Sequence, residues 1–269
     1  MDIVVAIILG IVEGITEFLP ISSTGHLIVA EKLLGFKDVQ DMFTVVIQLG
    51  AILAVVWFYR HDLFSKVVGL LSWRKEAVRF WQLLIVATIP AGIIGLLLND
   101  SMDQIAKPVV VATTLIVGGL VLWLVDRKPV PKTEHSVAIE KIPFKKALLI
   151  GFGQSVAIVP GVSRSGATIV TSLAAGLNRT TATAFSFYLA IPVMVLASGL
   201  KLIQNGDQLH RLSGGSAALL VGIATAFITA FMSIAWLLKY ISHHSFRPFA
   251  YYRIIAGLAI FGLLAANVL

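Results

Sequence analysis

Six unbroken apolar runs, near 42–60, 81–99, 108–126, 181–203, 216–238 and 250–269, constrain this chain more than any other feature. Each approaches the roughly 20 residues that a helix needs to cross the hydrocarbon core of a bilayer. Charged residues make up 13% of the chain, against about 25% in a soluble domain, and hydrophobic residues 58%. Backbone groups in hydrocarbon must be satisfied within the segment, so runs of this length are helices. The expectation is an all-α polytopic membrane protein. Two further apolar stretches, 3–35 and 146–177, are interrupted midway by Pro, Gly and Ser. Such backbone is tolerated at depth only where it is buried in protein or lines a wet cavity. Both stretches read as re-entrant helical hairpins, with a kinked crossing helix as the alternative.

Charge placement sets the expected topology. The loop 60–80 carries Arg60, Lys66, Arg74, Lys75 and Arg79, and the loop 127–146 carries Arg127, Lys128, Lys132, Lys141, Lys145 and Lys146. Two crossings separate them, so both fall on one side, the cytoplasm by the positive-inside rule. Between them, 100–107 reads as an outer loop with Lys107 against Asp100 and Asp103. With the hairpins re-entrant, 201–215 lies outside, 239–250 inside, and both termini outside. The net charge of +7 sits in these loops and is no sign of nucleic-acid binding. The first apolar run has almost no positive flank, so no cleavable signal peptide is expected. The absence of cysteine excludes disulfides and thiolate metal sites.

The chain also repeats itself. Gly10 and Gly25 bracket the first interruption, and Gly151 and Gly166 bracket the second at the same interval. Within these brackets Glu13 matches Gln154, Pro20 falls near Pro160, and Ser22-Ser23 falls near Ser163. IVGGLVLWL at 116–124 resembles IAGLAIFGL at 255–263. One membrane domain, 1–269, therefore divides into repeat one (1–127), a basic cytoplasmic linker (128–145) and repeat two (146–269). Each repeat has a re-entrant helical hairpin plus three transmembrane helices, an odd number of crossings, so the two repeats have inverted topology. Inverted repeats with broken helices meeting near the midplane are a transporter architecture and point at the site.

The chemistry is concentrated in VEGITEFLPISSTGHL at 12–27 and VPGVSRSGAT at 159–168. Of the fourteen acidic residues, only Glu13 and Glu17 lie inside an apolar segment. Four residues apart, they share a helical face. Two carboxylates there repel unless they share a proton or bind a cation. Their oxygen donors suit Mg²⁺ or Ca²⁺. Ser22, Ser23 and Thr24 can cap a half-helix starting near Thr24, and Ser163 and Ser165 one starting near Ala167. Two such positive helix ends facing each other form an anion site. Arg164, the one basic residue read as far from any span end, adds a fork that grips phosphate oxygens. Gly161 and Gly166 let backbone approach a ligand closely, and Thr168 closes the motif with a further hydroxyl. His26 is a candidate general base, nucleophile or proton donor, or a satisfied structural histidine. His61, His135, His210, His243 and His244 read as loop residues. Gln48 either lines the site or bonds another helix, and Gln154 is a further candidate for the site lining.

At these residues, EGITEFLPISSTGH at 13–26 and PGVSRSGAT at 160–168, the chain resembles the bacterial undecaprenyl-diphosphate phosphatases of the bacitracin-resistance type. The resemblance covers essentially the whole chain. It implies removal of the terminal phosphate from the polyprenyl diphosphate carrier, recycling it for cell-wall synthesis, with a divalent cation required and the active site open to the outer face. It maps the paired acids onto Glu13 and Glu17, the phosphate-binding arginine onto Arg164, the histidine onto His26 and the proposed nucleophile onto Ser23. It also implies a lipid substrate within the bacterial plasma membrane, and bacitracin competing for that substrate rather than binding the protein. A homodimer is left open. Spacing alone does not choose between Ser23 and His26 as nucleophile. A transporter or flippase of polyprenyl phosphate or another anion is the rival class. Against it, Glu17 and His26 have no partners in the second motif, where Ile158 and Ala167 stand.

Overall fold

The computed structural model describes residues 2–38, 41–127, 138–207 and 215–269, with backbone alone over 99–104. Among the described residues the chain forms eleven α-helices: α1 (Ile3–Thr16), α2 (Ser23–Leu33), α3 (Met42–Phe58), α4 (Arg60–Leu71), α5 (Lys75–Ile105), α6 (Pro108–Val125), α7 (Phe144–Ser155), α8 (Arg164–Ala174), α9 (Arg179–Asn205), α10 (Gly215–Ile241) and α11 (Arg247–Ala265). Five of them are long and apolar enough to cross a membrane, and α3 with α4 makes a sixth if that bent pair is one span. Local chemistry marks several ends. Asp2 accepts from Val4 N–H at the start of α1, and Asn178 from Thr181 N–H at the start of α9. Pro108 and Pro248 open α6 and α11, where a missing N–H costs no helical bond.

Each interrupted stretch breaks into two helices that fold back on one another. Ala6 and Leu9 of α1 share a core with Leu27 and Ala30 of α2. In the second stretch Gly153 of α7 lies directly against Thr171 of α8, and Gly176, just past α8, comes close to Lys146 near the start of α7. Packing of these pairs on the remaining helices is reciprocal: α1 lies on α10 and α7 on α5, α3 crosses α10 and α9 crosses α5, and α6 pairs with α11. Glycines allow the closest approaches. A Cβ on Gly10 would stand 2.7 Å from Gly222 O of α10, and one on Gly151 2.5 Å from Ala87 O of α5. Between α6 and α11, Gly119 faces Ala250 O and Gly257 faces Ala112 O. Where lipid supplies no hydrophobic drive between helices, such close backbone packing is what holds them together.

Three loop assignments need correction. The stretch 60–80 is mostly helix: α4 leaves α3 at 75° and runs to Leu71, and α5 begins at Lys75. The reason is an apolar stripe, Phe64, Val67, Val68 and Leu71, at helical spacing and exposed. A basic helix with such a stripe suits the plane of a membrane interface; counting charges alone passed over it. The stretch 100–107 is likewise mostly the end of α5, and α9 runs on to Asn205. The linker is described only from Ala138; His135, His210 and Arg211 lie outside the described residues.

Candidate active site

The two breaks meet at a cavity of about 540 Å³. From the first break Glu17, Ser22, Ser23 and Thr24 line it; from the second, Gln154, Ala157, Ile158, Val162, Ser163 and Arg164. Gln48 of α3, Thr88 of α5, and Lys201 and Gln204 of α9 add to the polar lining. Helix α2 begins at Ser23 with Ser22 as its cap, and α8 begins at Arg164 with Ser163 as its cap. Both half-helices therefore start slightly earlier than the hydroxyl pattern suggested. Their N-terminal residues face one space, where unpaired N–H groups and both positive dipole ends favour an anion.

Across that space runs one hydrogen-bonded chain. Ser23 Oγ donates to Glu17 Oε2 at 2.5 Å, and Arg164 Nη2 donates to Glu17 Oε1 at 2.9 Å. Arg164 is steadied by Ser186 O, which accepts from Nη1 at 3.0 Å, while its buried Nε has no protein partner among the described residues. Glu17 is thus joined to a hydroxyl and a guanidinium at once. Breaking such a buried pair by removing one partner costs about 3–5 kcal/mol. Ser22 adopts φ 75°, ψ 100°, outside the regions open to ordinary residues. Backbone held this way persists only where its surroundings over-determine it, and it concentrates at functional sites.

His26 holds that strained residue. Its Nδ1 lies 2.6 Å from Ser22 O and its Nε2 2.7 Å from Tyr252 Oη, and the ring stacks on Tyr252. The histidine sits behind the hydroxyl run and does not line the cavity. Glu13 lies one turn before Glu17, 1% exposed, with Oε1 unpartnered among the described residues. Gln154, its counterpart in the second motif, is also buried with both amide atoms unpartnered. Gln48 Oε1 accepts from Ser198 Oγ, so this residue both lines the cavity and bonds α9.

The rest of the second motif builds the frame. Ser163 Oγ accepts from Gly166 N–H, Ser165 Oγ donates to Leu19 O of the first break, and Thr168 pairs with Ser186. Gly161, at φ 85°, packs against Val111 and Thr114 of α6. Gly161, Ser165, Gly166 and Thr168 do not reach the cavity lining.

One frame residue went unnoticed. Arg253 of α11 is 2% exposed and donates to Pro20 O (3.1 Å), Thr114 O (3.2 Å), Gly161 O and Leu115 O (both 3.4 Å). It ties both breaks to α6. Arg164 is therefore not the one basic residue deep in the chain; Arg253 stands two turns into α11, and with the last span drawn from 250 it looked like an end residue.

The carboxylates fit a hard divalent cation in a limited way. Glu13 keeps a free buried oxygen and Glu17 lies one turn on, but no cluster of three His, Cys, Asp or Glu able to hold a metal occurs among the described residues. Mg²⁺ is commonly held this way, by one or two carboxylates, with water and substrate phosphates filling the other positions.

Broken helices that present a carboxylate, a hydroxyl and an arginine to one cavity place this chain among polytopic membrane proteins with a polar, anion-suited site between their helices. The family model described as bacitracin resistance protein BacA matches residues 6–259. The chain is 45% identical over 258 residues to a protein of Methylococcus capsulatus named undecaprenyl-diphosphatase, covering 95% of this chain and 92% of that one. Its identity to proteins of the same name is 46% over 260 residues in Persephonella marina, at 96% and 97% coverage, and 44% over 274 residues in Deinococcus deserti, at 100% and 98%. The chain belongs to the BacA family.

Proposed function

We infer that this protein hydrolyses undecaprenyl diphosphate to undecaprenyl phosphate and inorganic phosphate, recycling the lipid carrier for cell-wall synthesis and thereby conferring bacitracin resistance. Bacitracin competes for the substrate. The observation that carries the reading is the Ser23–Glu17–Arg164 chain at the meeting point of two half-helix N-termini. In this mechanism Ser23 Oγ attacks the terminal phosphorus while its proton passes to Glu17. The bond from that phosphorus to the bridging oxygen breaks, and undecaprenyl phosphate leaves. Water then attacks the phosphoserine and releases phosphate. Arg164, Ser163 and the N–H groups of α2 and α8 hold the phosphoryl oxygens as charge develops on them. Glu13 and Glu17 are the residues that would hold a divalent cation, Mg²⁺ or Ca²⁺, which when bound neutralises phosphate charge. Ser23 is favoured over His26 as nucleophile because Ser23 lines the cavity, whereas both His26 ring nitrogens are engaged behind it.

The reciprocal packing supports two inverted-topology repeats, each a re-entrant hairpin with three crossings. With the basic segments 60–80 and 127–146 in the cytoplasm of a bacterial cell, the cavity opens outward and both termini lie outside. The one-sided carboxylate and hydroxyl chemistry favours hydrolysis over carriage. The test is phosphate release from undecaprenyl diphosphate by purified protein, with and without Mg²⁺ or Ca²⁺, beside Arg164→Ala and Glu17→Ala. Loss of the arginine should lower the rate roughly a thousandfold. No release by well-folded wild-type protein would sink the reading and turn attention to lipid-phosphate transport.

A further inference from the structure

Arg164, Gln154 and Glu13 carry buried polar atoms with no protein partner among the described residues, and these atoms sort into two kinds. Arg164 Nε and Gln154 Nε2 are donors; Glu13 Oε1 and Gln154 Oε1 are acceptors. A buried polar atom left unpaired is costly, so each calls for a ligand. The donors match phosphoryl oxygens, which accept hydrogen bonds. Phosphoryl oxygens do nothing for an acceptor. The cation reading gives Glu13 its partner, but Gln154 Oε1 is neutral and calls for an O–H or N–H donor. Water is the donor that a hydrolysis brings to such a site. Gln154 is 2% exposed yet lines the cavity, from the last turn of α7. Two glycines fix that turn. A Cβ on Gly151 would stand 2.5 Å from Ala87 O of α5, and one on Gly153 would overlap Thr171 of α8. Backbone pressed on both neighbours has little room to shift, so the amide is rigidly aimed. Glu13 holds the matching place in the first motif. An amide accepts there as a carboxylate does, without a charge to repel phosphate.

Resting on the functional reading above, we propose that Gln154 aims the water that hydrolyses the phosphoserine, and so serves the second half-reaction far more than the first. In the first, Glu17 takes the Ser23 proton and undecaprenyl phosphate leaves. In the second, a water donates one O–H to Gln154 Oε1 and turns its lone pair on phosphorus. The water oxygen forms the new bond to phosphorus as the bond to Ser23 Oγ breaks. Glu17 returns its proton to Oγ, and both water protons depart with dihydrogen phosphate. No proton passes to Gln154; an amide is too weak a base, and its part is orientation. In-line displacement brings the water to the face of phosphorus away from Oγ. Ser23 belongs to the first break and Gln154 to the second, which suits that approach. Gln154 Nε2 is one donor among several to the phosphoryl group, beside Arg164, Ser163 and the half-helix N–H groups, so its loss costs the first half-reaction little.

The test is rapid-quench kinetics of purified protein with undecaprenyl diphosphate labelled at the terminal phosphorus, comparing wild type, Gln154→Met and Gln154→Asn. Methionine fills a similar volume with no amide; asparagine keeps the amide but draws it back by one methylene. In Gln154→Met the burst of lipid monophosphate should stay within about tenfold of wild type, the scale of one lost hydrogen bond. Breakdown of the adduct should slow roughly a hundredfold beyond that, so that acid-stable, alkali-labile label accumulates on the protein. Gln154→Asn should show the same pattern more weakly. The thermal midpoint of Gln154→Met should equal or exceed that of wild type, because an unpaired buried amide is gone. Equal slowing of both steps, unchanged breakdown, or a lowered midpoint in both variants would overturn the inference while leaving hydrolysis intact. Turnover with no serine adduct in any variant would overturn it together with Ser23 as nucleophile. A well-folded wild type that releases no phosphate would remove the functional reading itself, and the inference with it.

Discussion

In the proposed mechanism Glu17 is the central residue, because one carboxylate accepts from a hydroxyl through Oε2 and from a guanidinium through Oε1. Ser23→Ala should abolish phosphate release, whereas His26→Gln, which disturbs the Ser22 backbone from behind, should lower it roughly tenfold, the scale of one lost hydrogen bond. Rapid-quench trapping of labelled enzyme separates the nucleophiles: an acid-stable, alkali-labile adduct assigns Ser23, and an acid-labile one would overturn that assignment. Tyr252→Phe, which removes only the hydroxyl on His26 Nε2, should cost about 1 kcal/mol of stability and reproduce part of the His26→Gln defect; unchanged kinetics would detach Tyr252 from the site. The paired acids, the hydroxyl run and Arg164 were legible in the sequence because polar groups in an apolar run have few bland explanations. Tyr252 was not, since only folding brings α11 beside α2.

At the level of elements, close packing does the work that length and hydropathy cannot. Gly10 of α1 and Gly151 of α7 lie against backbone of α10 and α5, and no larger residue fits without displacing a helix. Gly10→Val should lower the thermal midpoint of the detergent-solubilised protein by the equivalent of about 1–3 kcal/mol, the usual overpacking cost; an unchanged midpoint would show that α1 and α10 pack loosely. Arg253 acts between elements in the same way. Arg253→Met would leave the carbonyls of Pro20, Thr114, Gly161 and Leu115 without their buried donor, and each such group costs about 1–3 kcal/mol. A large fall in thermal stability is expected, and retention of the wild-type midpoint would refute the role. Boundaries came close from the apolar runs. Helix α4 did not, because it carries charges among its apolar residues and lies 75° from its neighbour.

For the whole molecule, α1 packs on α10 as α7 packs on α5, the reciprocal arrangement that the proposed inverted repeat would give. The orientation is open to a simple test, since the chain has no cysteine of its own. Asn205→Cys, at the end of α9, should react with an impermeant thiol reagent added outside intact cells. Labelling only from the cytoplasmic side would invert the topology. Away from the membrane-facing surface, Asp126 is buried, accepts from Phe246 N–H and pairs with Arg179 at 2.7 Å, joining the end of α6 to the starts of α9 and α11. Nothing local in the sequence marks that junction.

The sequence by itself determined that this chain crosses a membrane as helices, that two of its apolar stretches are broken, and that acids, hydroxyls and an arginine stand at those breaks. These are local properties: length of an apolar run, propensity of Pro and Gly, and the cost of charge in hydrocarbon. Tertiary structure decided which of those residues face one cavity, that His26 stands behind the hydroxyl run instead of in the cavity, and that Arg253 binds the two breaks together. Those outcomes depend on contacts between segments more than a hundred residues apart, where direction and distance are set only when the helices pack.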